Sequence, residues 1–342
     1  MPKTLLALVL VVAACGSNGG IDATTPSPTV GGPYGSETLF GFTPFPARPS
    51  LDGVLTSYRI AAEHGDLVAH HLDDCVPWGA LTSGSPLPDS VEAALRLRQE
   101  QTPEGSAVYL ATSFSAIGRD AMAPDCAEGG VPPPPDSSEA LDAARAWIDL
   151  LVERLHPAWV NVGVEINLVA QHDEALGAAL EQLAVDLGEH IDATHPDIET
   201  LVSLQADSPI DPDSSATLAA AMDLIGLSIY PTVFGATDVP PDDALDELAR
   251  LGRPLVVAET GWPGDDDPAG QAEYVTWLGR VADRHRMAFV VWFFPADPDP
   301  LFVDAPPDLA VTAALFSGMG LITAEGSERP ALAEWDRLRL GG

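Results

Sequence analysis

The sequence predicts an α/β protein built as a single (β/α)8 TIM barrel, preceded by a lipoprotein signal peptide and a flexible tether. Three observations carry that reading. From Thr38 onward, eight short apolar stretches rich in β-branched residues alternate with longer amphipathic ones. Most of the short stretches are continuous hydrophobic runs, as strands buried on both faces are. A chain of 342 residues, 46% of them hydrophobic, holds one large core. Eight strand-helix pairs leave no chain for a second core, and they favour a closed barrel over an open doubly wound sheet.

In chain order, Lys3 stands ahead of the apolar run 5–14, the layout of a secretory signal and too short to span a bilayer. The run ends in Val12-Ala13-Ala14-Cys15, which resembles a bacterial lipobox. That resemblance implies a signal peptide over 1–14, a lipid anchor on Cys15, and a domain exported to the extracytoplasmic side of the cell envelope. Residues 15–36 are rich in Gly, Ser, Thr and Pro with little to bury, as a tether requires. The barrel then occupies 37–342, and the leader and tether should touch it little.

The expected strands are 38–44, 67–72, 107–114, 159–166, 200–205, 224–230, 255–259 and 288–294. Helical spacing by three and four marks 137–155, 174–194, 241–251 and 269–286. Ser137 or Ser138 and Asp242 suit N-cap positions, and Gly252 ends the 241–251 pattern. Irregular stretches at 73–85 and 116–135 follow strands two and three. In a barrel such loops wall the face where active sites are built.

Composition narrows the function. The 51 acidic and 16 basic residues give a formal charge of −35, which repels phosphate backbones and argues against a nucleic-acid partner. A neutral ligand suits that field better than an acidic one. Gly41-Phe42-Thr43-Pro44 is a poor dinucleotide loop, and the chain has no Cys-x-x-Cys, His-Glu-x-x-His or Gly-x-Ser-x-Gly motif. No cofactor or metal is expected; His70, His71, Asp73 and Asp74 are the one set with metal-binding residue types, a lesser alternative. With Cys15 lipidated, Cys75 and Cys126 remain as a pair for a disulfide, a bond that sequence leaves open.

Two glutamates stand out. Glu165 ends the run Trp159-Val-Asn-Val-Gly-Val-Glu, and Glu259 ends Leu255-Val-Val-Ala-Glu. A carboxylate in an apolar strand is costly unless paired, hydrogen-bonded or functional. Two of them at the active face of one barrel fit the acid/base and nucleophile of glycoside hydrolysis.

At these residues the chain resembles the clan of retaining (β/α)8 glycoside hydrolases. Glu259-Thr260-Gly261-Trp262-Pro263 is similar to the nucleophile motif of family 17 β-1,3-glucanases, and Val162-Gly163-Val164-Glu165-Ile166-Asn167 to the acid/base strand of that family and of family 53 endo-β-1,4-galactanases. His70-His71-Leu72-Asp73-Asp74 followed by Trp78, and Ser228-Ile229-Tyr230-Pro231, are similar to segments of family 53. The resemblance implies hydrolysis of a neutral β-linked oligo- or polysaccharide by double displacement, with Glu259 as nucleophile and Glu165 as acid/base. It implies a Tyr230 hydrogen bond to Glu259, His70 or His71 beside the sugar, Trp292 as the sugar-site floor, and Trp78 and Trp262 along outer subsites. Val164 departs from the clan, which has an asparagine there for the sugar 2-hydroxyl. Asn167 or Asn161 would have to take that role, or the barrel is a catalytically weak carbohydrate-binding lipoprotein.

The retaining reading expects carboxyl groups about 5 to 5.5 Å apart, and Glu165 as the more protonated of the two. A close arginine ion pair on either glutamate that blocks sugar access, or side chains pointing into different regions, would end the glycosidase reading and put the binding alternative in its place.

Overall fold

The computed structural model describes residues 38–298 and 316–341. The expected signal peptide, the lipidated Cys15 and the tether lie outside these residues. Eight parallel strands close in chain order into one barrel: β1 (Leu39–Phe42), β2 (Leu67–Leu72), β3 (Ala107–Thr112), β4 (Trp159–Asn161), β5 (Glu199–Gln205), β6 (Leu224–Ile229), β7 (Leu255–Thr260) and β8 (Phe289–Trp292). β8 returns to pair with β1, matching Leu39 to Phe289 and Phe42 to Trp292.

Alternation along each strand divides the core into two layers. Leu67, Ala69, Tyr109, Ala111, Trp159, Leu201, Val256, Phe289 and Val291 fill the barrel interior. Their neighbours Val68, Leu110, Val160, Val202, Val257, Val290 and Trp292 face outward against the helices. Strands sandwiched in this way must be apolar on both faces, which is why they read as unbroken hydrophobic runs.

The outer layer comprises α1 (Leu51–His64), α2 (Trp78–Ser83), α3 (Asp89–Gln101), α4 (Ser138–Leu155), α5 (Ile166–His172), α6 (Glu174–Thr194), α7 (Pro212–Ala221), α8 (Pro268–His285) and α9 (Pro330–Arg339). Local chemistry sets their starts. Ser137 caps α4 by accepting from the Ala140 amide, and Asp173 caps α6 through the amides of Ala175 and Leu176. Asp267 caps α8, with Pro268 in its first turn. On α9, Trp335 is fully buried against Phe40, Phe42 and Trp292, and so covers the seam where β1 meets β8.

Two elements differ from the sequence reading. The fourth strand was expected over 159–166 but stops at Asn161, because the Asn161 side-chain oxygen accepts from the Gly163 amide and turns the chain. The stretch 241–251 was expected to be a helix started by Asp242. It forms i to i+3 turns and a single 3-10 turn at Leu248–Leu251, which Gly252 ends at φ 81°. Its acidic side chains pair instead with α8: Asp242 with Arg280, Asp246 with Arg284.

Cys75 and Cys126 are joined in a disulfide, with Cα atoms 5.1 Å apart. The bond ties the loop after β2 to the loop after β3. Backbone pairing of Val76 with Asp125 runs beside it.

Candidate active site

The inward-facing positions lead up to the mouth at the carboxyl ends of the strands. There they change from apolar to polar: Thr43 after β1, His71 on β2, Ser203 and Gln205 on β5, Ser228 and Tyr230 on and after β6, and Glu259 on β7. Phe293 follows β8. Apart from the loop residues and Glu259, each lies an even number of positions along its strand from a residue of the interior layer.

Glu259 is the exception to simple alternation. Val256 and Ala258 face the interior, so regular pleating would send Glu259 outward into the helices. One extra residue in β7 prevents this. Leu227 pairs with Val257, but the next residue, Ser228, pairs with Glu259, and on the other side β8 also meets β7 through a register shift. Such a bulge re-aims the side chain that follows it. Glu259 thereby enters the mouth, and Thr260 turns outward to donate to the Ile229 carbonyl at 2.7 Å.

The carboxyl of Glu259 is buried, and Ser228 Oγ donates to its Oε1 at 2.8 Å. Burial, and then the negative charge of Glu165, push its proton affinity well above the ordinary carboxylate range, while the Ser228 hydrogen bond opposes them. The sequence reading expected the raised value on Glu165 and a Tyr230 hydrogen bond keeping Glu259 ionised. The structure puts the raised value on Glu259, which lies deeper, and adds Ser228 as a hydrogen-bond donor to it. The buried Tyr230 hydroxyl lies beside Glu259 without reaching full hydrogen-bond geometry among the described residues; burial, then the charges of Glu259 and Glu165 and the contact with Glu259, push its ionisation well above the usual tyrosine range.

Glu165 sits four residues beyond β4, in the left-handed region at φ 49°, with its amide bonded to Ser203 Oγ. Its Oε1 accepts from Gln205 Nε2 at 3.3 Å, and its Oε2 is paired with Arg119, 3.2 Å from Nη2 and 3.4 Å from Nε. Arg119 is buried and also lies 3.7 Å from Asp73. This is the arginine pair that the sequence reading set against catalysis. Arg119 and Gln205 escaped that reading because neither has a distinctive motif, and Ser228, inside a quoted segment, had no role there; only inward parity on a strand or loop position brings them in.

His71 and His70 separate cleanly. His71 faces the mouth between Tyr109 and Phe293. Burial, and to a lesser degree Arg119 and Arg98, hold its proton affinity down against the opposing charge of Asp73. His70 faces outward, with Nε2 bonded to Thr102 Oγ1 at 2.9 Å and Tyr58 beyond its other nitrogen. The two therefore do not share a site, and among the described residues no group of His, Cys, Asp or Glu is arranged to hold a metal ion.

Among the described residues, four buried polar atoms of the mouth have no partner that meets hydrogen-bond geometry: Thr43 Oγ1, His71 Nε2, Arg119 Nη1 and Tyr230 Oη. Buried polar atoms are normally satisfied, so these groups, at strand ends and on the loop after β3, leave donors and acceptors at the mouth for water or a polar ligand.

Several expected sugar contacts belong to the core instead. Trp292 is fully buried and faces the helices, its Nε1 bonded to the Met319 carbonyl. The half-buried Phe293, one residue on, takes the inward place, packed on His71 and Phe316. Trp78 begins α2 with Nε1 bonded to the Ala123 carbonyl, and Trp262 stacks on Tyr274 of α8. Asn167 spends both ends of its amide on the backbone of Gln205, and so holds the residue that holds Glu165. Asn161 is fully buried, bonded to Tyr109 and Ser203. Neither asparagine is free to replace the one absent at Val164, which packs into the barrel interior.

This fold has close counterparts among solved structures. It matches the exo-β-1,4-mannosidase of Opitutaceae bacterium strain TAV5 with a TM-score of 0.68 at 14% identity, over 89% of this chain and 59% of that one. The barrel fold is shared with glycoside hydrolases of known structure. A family 5, subfamily 18 glycoside hydrolase of Bifidobacterium longum matches with a TM-score of 0.66 at 16% identity, over 89% of this chain and 79% of its own. The subfamily 18 protein of Streptomyces cattleya, crystallised with Manβ1-4GlcNAc, gives 0.65 at 16%, over 89% and 80%. The chain thus spans somewhat over half the length of the mannosidase and most of the length of the other two. No family model and no curated protein matches the chain in sequence.

Proposed function

We propose that the chain is a retaining glycoside hydrolase acting on a neutral β-linked glycan, carried outside the cytoplasm on a lipid anchor at Cys15. The observation that carries the reading is the pairing of two glutamates, from the β4 loop and from β7, close enough for the charge of Glu165 to raise Glu259, beside polar atoms of the mouth with no partner that meets hydrogen-bond geometry among the described residues.

In the mechanism, the ionised Glu259 attacks the anomeric carbon and forms a glycosyl ester. Glu165 gives its proton to the departing oxygen as the glycosidic bond breaks. Water then attacks the same carbon, loses its proton to Glu165, and releases Glu259 as carboxylate. Close carboxyl groups resist ionising together, and burial beside the charge of Glu165 favours the proton on Glu259. Substrate must displace it towards Glu165. Desolvated sugar hydroxyls reaching Tyr230, His71 and Thr43 would supply the binding energy.

A second reading, a carbohydrate-binding barrel with weak or no turnover, is favoured by the Arg119 pair on Glu165 and by Val164. Purified protein incubated with β-mannans, β-glucans, galactans and aryl β-glycosides separates the two. Release of reducing sugar or aglycone that is lost in Glu259→Gln supports the hydrolase. Binding without release, in both proteins, supports the binding barrel.

A further inference from the structure

Arg119 reaches Glu165 from the tip of a small hairpin. Ser115 and Met122 form an antiparallel bridge, the Ala116 amide donates to Ala121, and the Arg119 amide donates to Ala116. The base of the hairpin is fastened to the neighbouring loop four times over. Trp78 Nε1 donates to Ala123, the Gly79 amide donates to Asp125 Oδ2 at 2.7 Å, Val76 pairs with Asp125, and Cys126 is bonded to Cys75.

Backbone strain marks the same pair. Four described residues other than glycine have positive φ. Two of them, His156 and Arg286, cap the ends of α4 and α8, where a left-handed residue is ordinary. The other two are Arg119 and Glu165, at φ 57° and 49°, the partners in the ion pair. Strain of this kind persists where surrounding structure holds it, and it concentrates at functional sites.

We propose that Arg119 is a positioning residue that sets the orientation and proton affinity of Glu165, and that the Cys75–Cys126 disulfide keeps it seated by clamping the 115–122 hairpin. The assignment rests on the hydrolase reading for its consequence in turnover, but not for its physical content. The groups facing Glu165 are Arg119, Gln205 and, by charge, Glu259 and Tyr230, with Asp73 on the far side of Arg119. Among the described residues Arg119 is the one cation in contact, so removing it makes Glu165 bind its proton more tightly. Opening the disulfide with a dithiol yields two cysteine thiols, the reagent supplying two electrons and two protons and closing to its own cyclic disulfide. The hairpin then loses its covalent clamp.

The test is a carboxyl ¹³C titration of the glutamate-labelled full chain, with the Glu165 signal assigned by its loss in Glu165→Gln. The midpoint for Glu165 should rise by about one pH unit or more in Arg119→Gln, the change expected on losing a contacting opposite charge. Arg119→Lys should restore part of it. Dithiol-treated wild type, and separately the Cys75→Ala/Cys126→Ala variant, should move in the same direction, with near-ultraviolet dichroism reporting that the barrel is intact. An unchanged midpoint in Arg119→Gln overturns the positioning role, and an unchanged midpoint after complete reduction overturns the clamp. Turnover is a separate readout. If hydrolysis is found, the alkaline limb of kcat/KM should move to higher pH in Arg119→Gln; if none is found but the midpoints move, the hydrolase reading fails and the role of Arg119 stands.

Discussion

Ser228 and Glu259 are cross-strand partners only because β7 carries one residue more than β6 at that point, and the Ser228 hydroxyl donates to the Glu259 carboxylate at 2.8 Å across the resulting pair. A strand with regular pleating would have buried the carboxylate among the helices. The bulge thus places the candidate nucleophile, and the serine opposite donates a hydrogen bond to it.

Ser228→Ala removes that donor. A hydrogen bond to a charged group contributes about 1.5 to 3 kcal/mol, so kcat/KM should fall by about ten- to a hundredfold. Losing a bond to the ionised form raises the proton affinity of Glu259 further, so the acid limb of the pH profile should shift to higher pH. A profile that falls in height without shifting would show that Ser228 does not act on the carboxylate.

Glu259→Gln should stabilise the fold while abolishing turnover. The folded carboxyl binds its proton more tightly than the unfolded one, because it is buried beside Glu165. Its contribution is therefore fully present below the ordinary carboxylate range and is lost as pH rises through the raised value. Glutamine carries no such penalty. The melting temperature of the variant should exceed that of the wild type by a few degrees near neutral pH, on a scale of about 2 to 4 °C per kcal/mol, and the gap should close in acid. A gap that is constant with pH would contradict the cause.

Trp292 and Phe293 should separate stability from ligand binding. Trp292→Ala opens a hole in the layer between β8 and the helices and should cost about 3 to 5 kcal/mol in denaturant unfolding. Phe293→Ala, at the half-buried mouth, should cost less in stability and more in sugar affinity, read by titration calorimetry. Equal effects in both assays would undo the assignment of faces.

Cys75→Ala/Cys126→Ala should lose about 2 to 4 kcal/mol of unfolding free energy, since the bond closes a loop across 51 positions. Comparison of oxidised and dithiol-treated wild type in denaturant gives the same quantity without substitution.

Much of the barrel was legible in the sequence. The strands β2 and β5 to β7 and the helices α4, α6 and α8 appear within one or two residues of where hydrophobic period placed them. The failures have local causes. At 241–251 the apolar spacing suited a helix, but its aspartates sit opposite Arg280 and Arg284, partners that lie nearly forty residues away and leave no trace in the local pattern. At β4, an asparagine side chain intercepts the backbone two residues on, a competition that period counting does not weigh.

The sequence by itself determined the barrel and the two strand-end glutamates, because continuous apolar runs and a carboxylate within such a run are properties of neighbours along the backbone. Which way each side chain points was decided by tertiary structure alone. A strand buried on both faces has no polar side to fix its parity, so His70 and His71, or Trp292 and Phe293, are interchangeable until the barrel closes. One inserted residue in β7 then reverses the parity for Glu259. Arg119 shows the same limit at longer range: forty-six residues separate it from Glu165, and only the hairpin fastened by Cys126 brings them together.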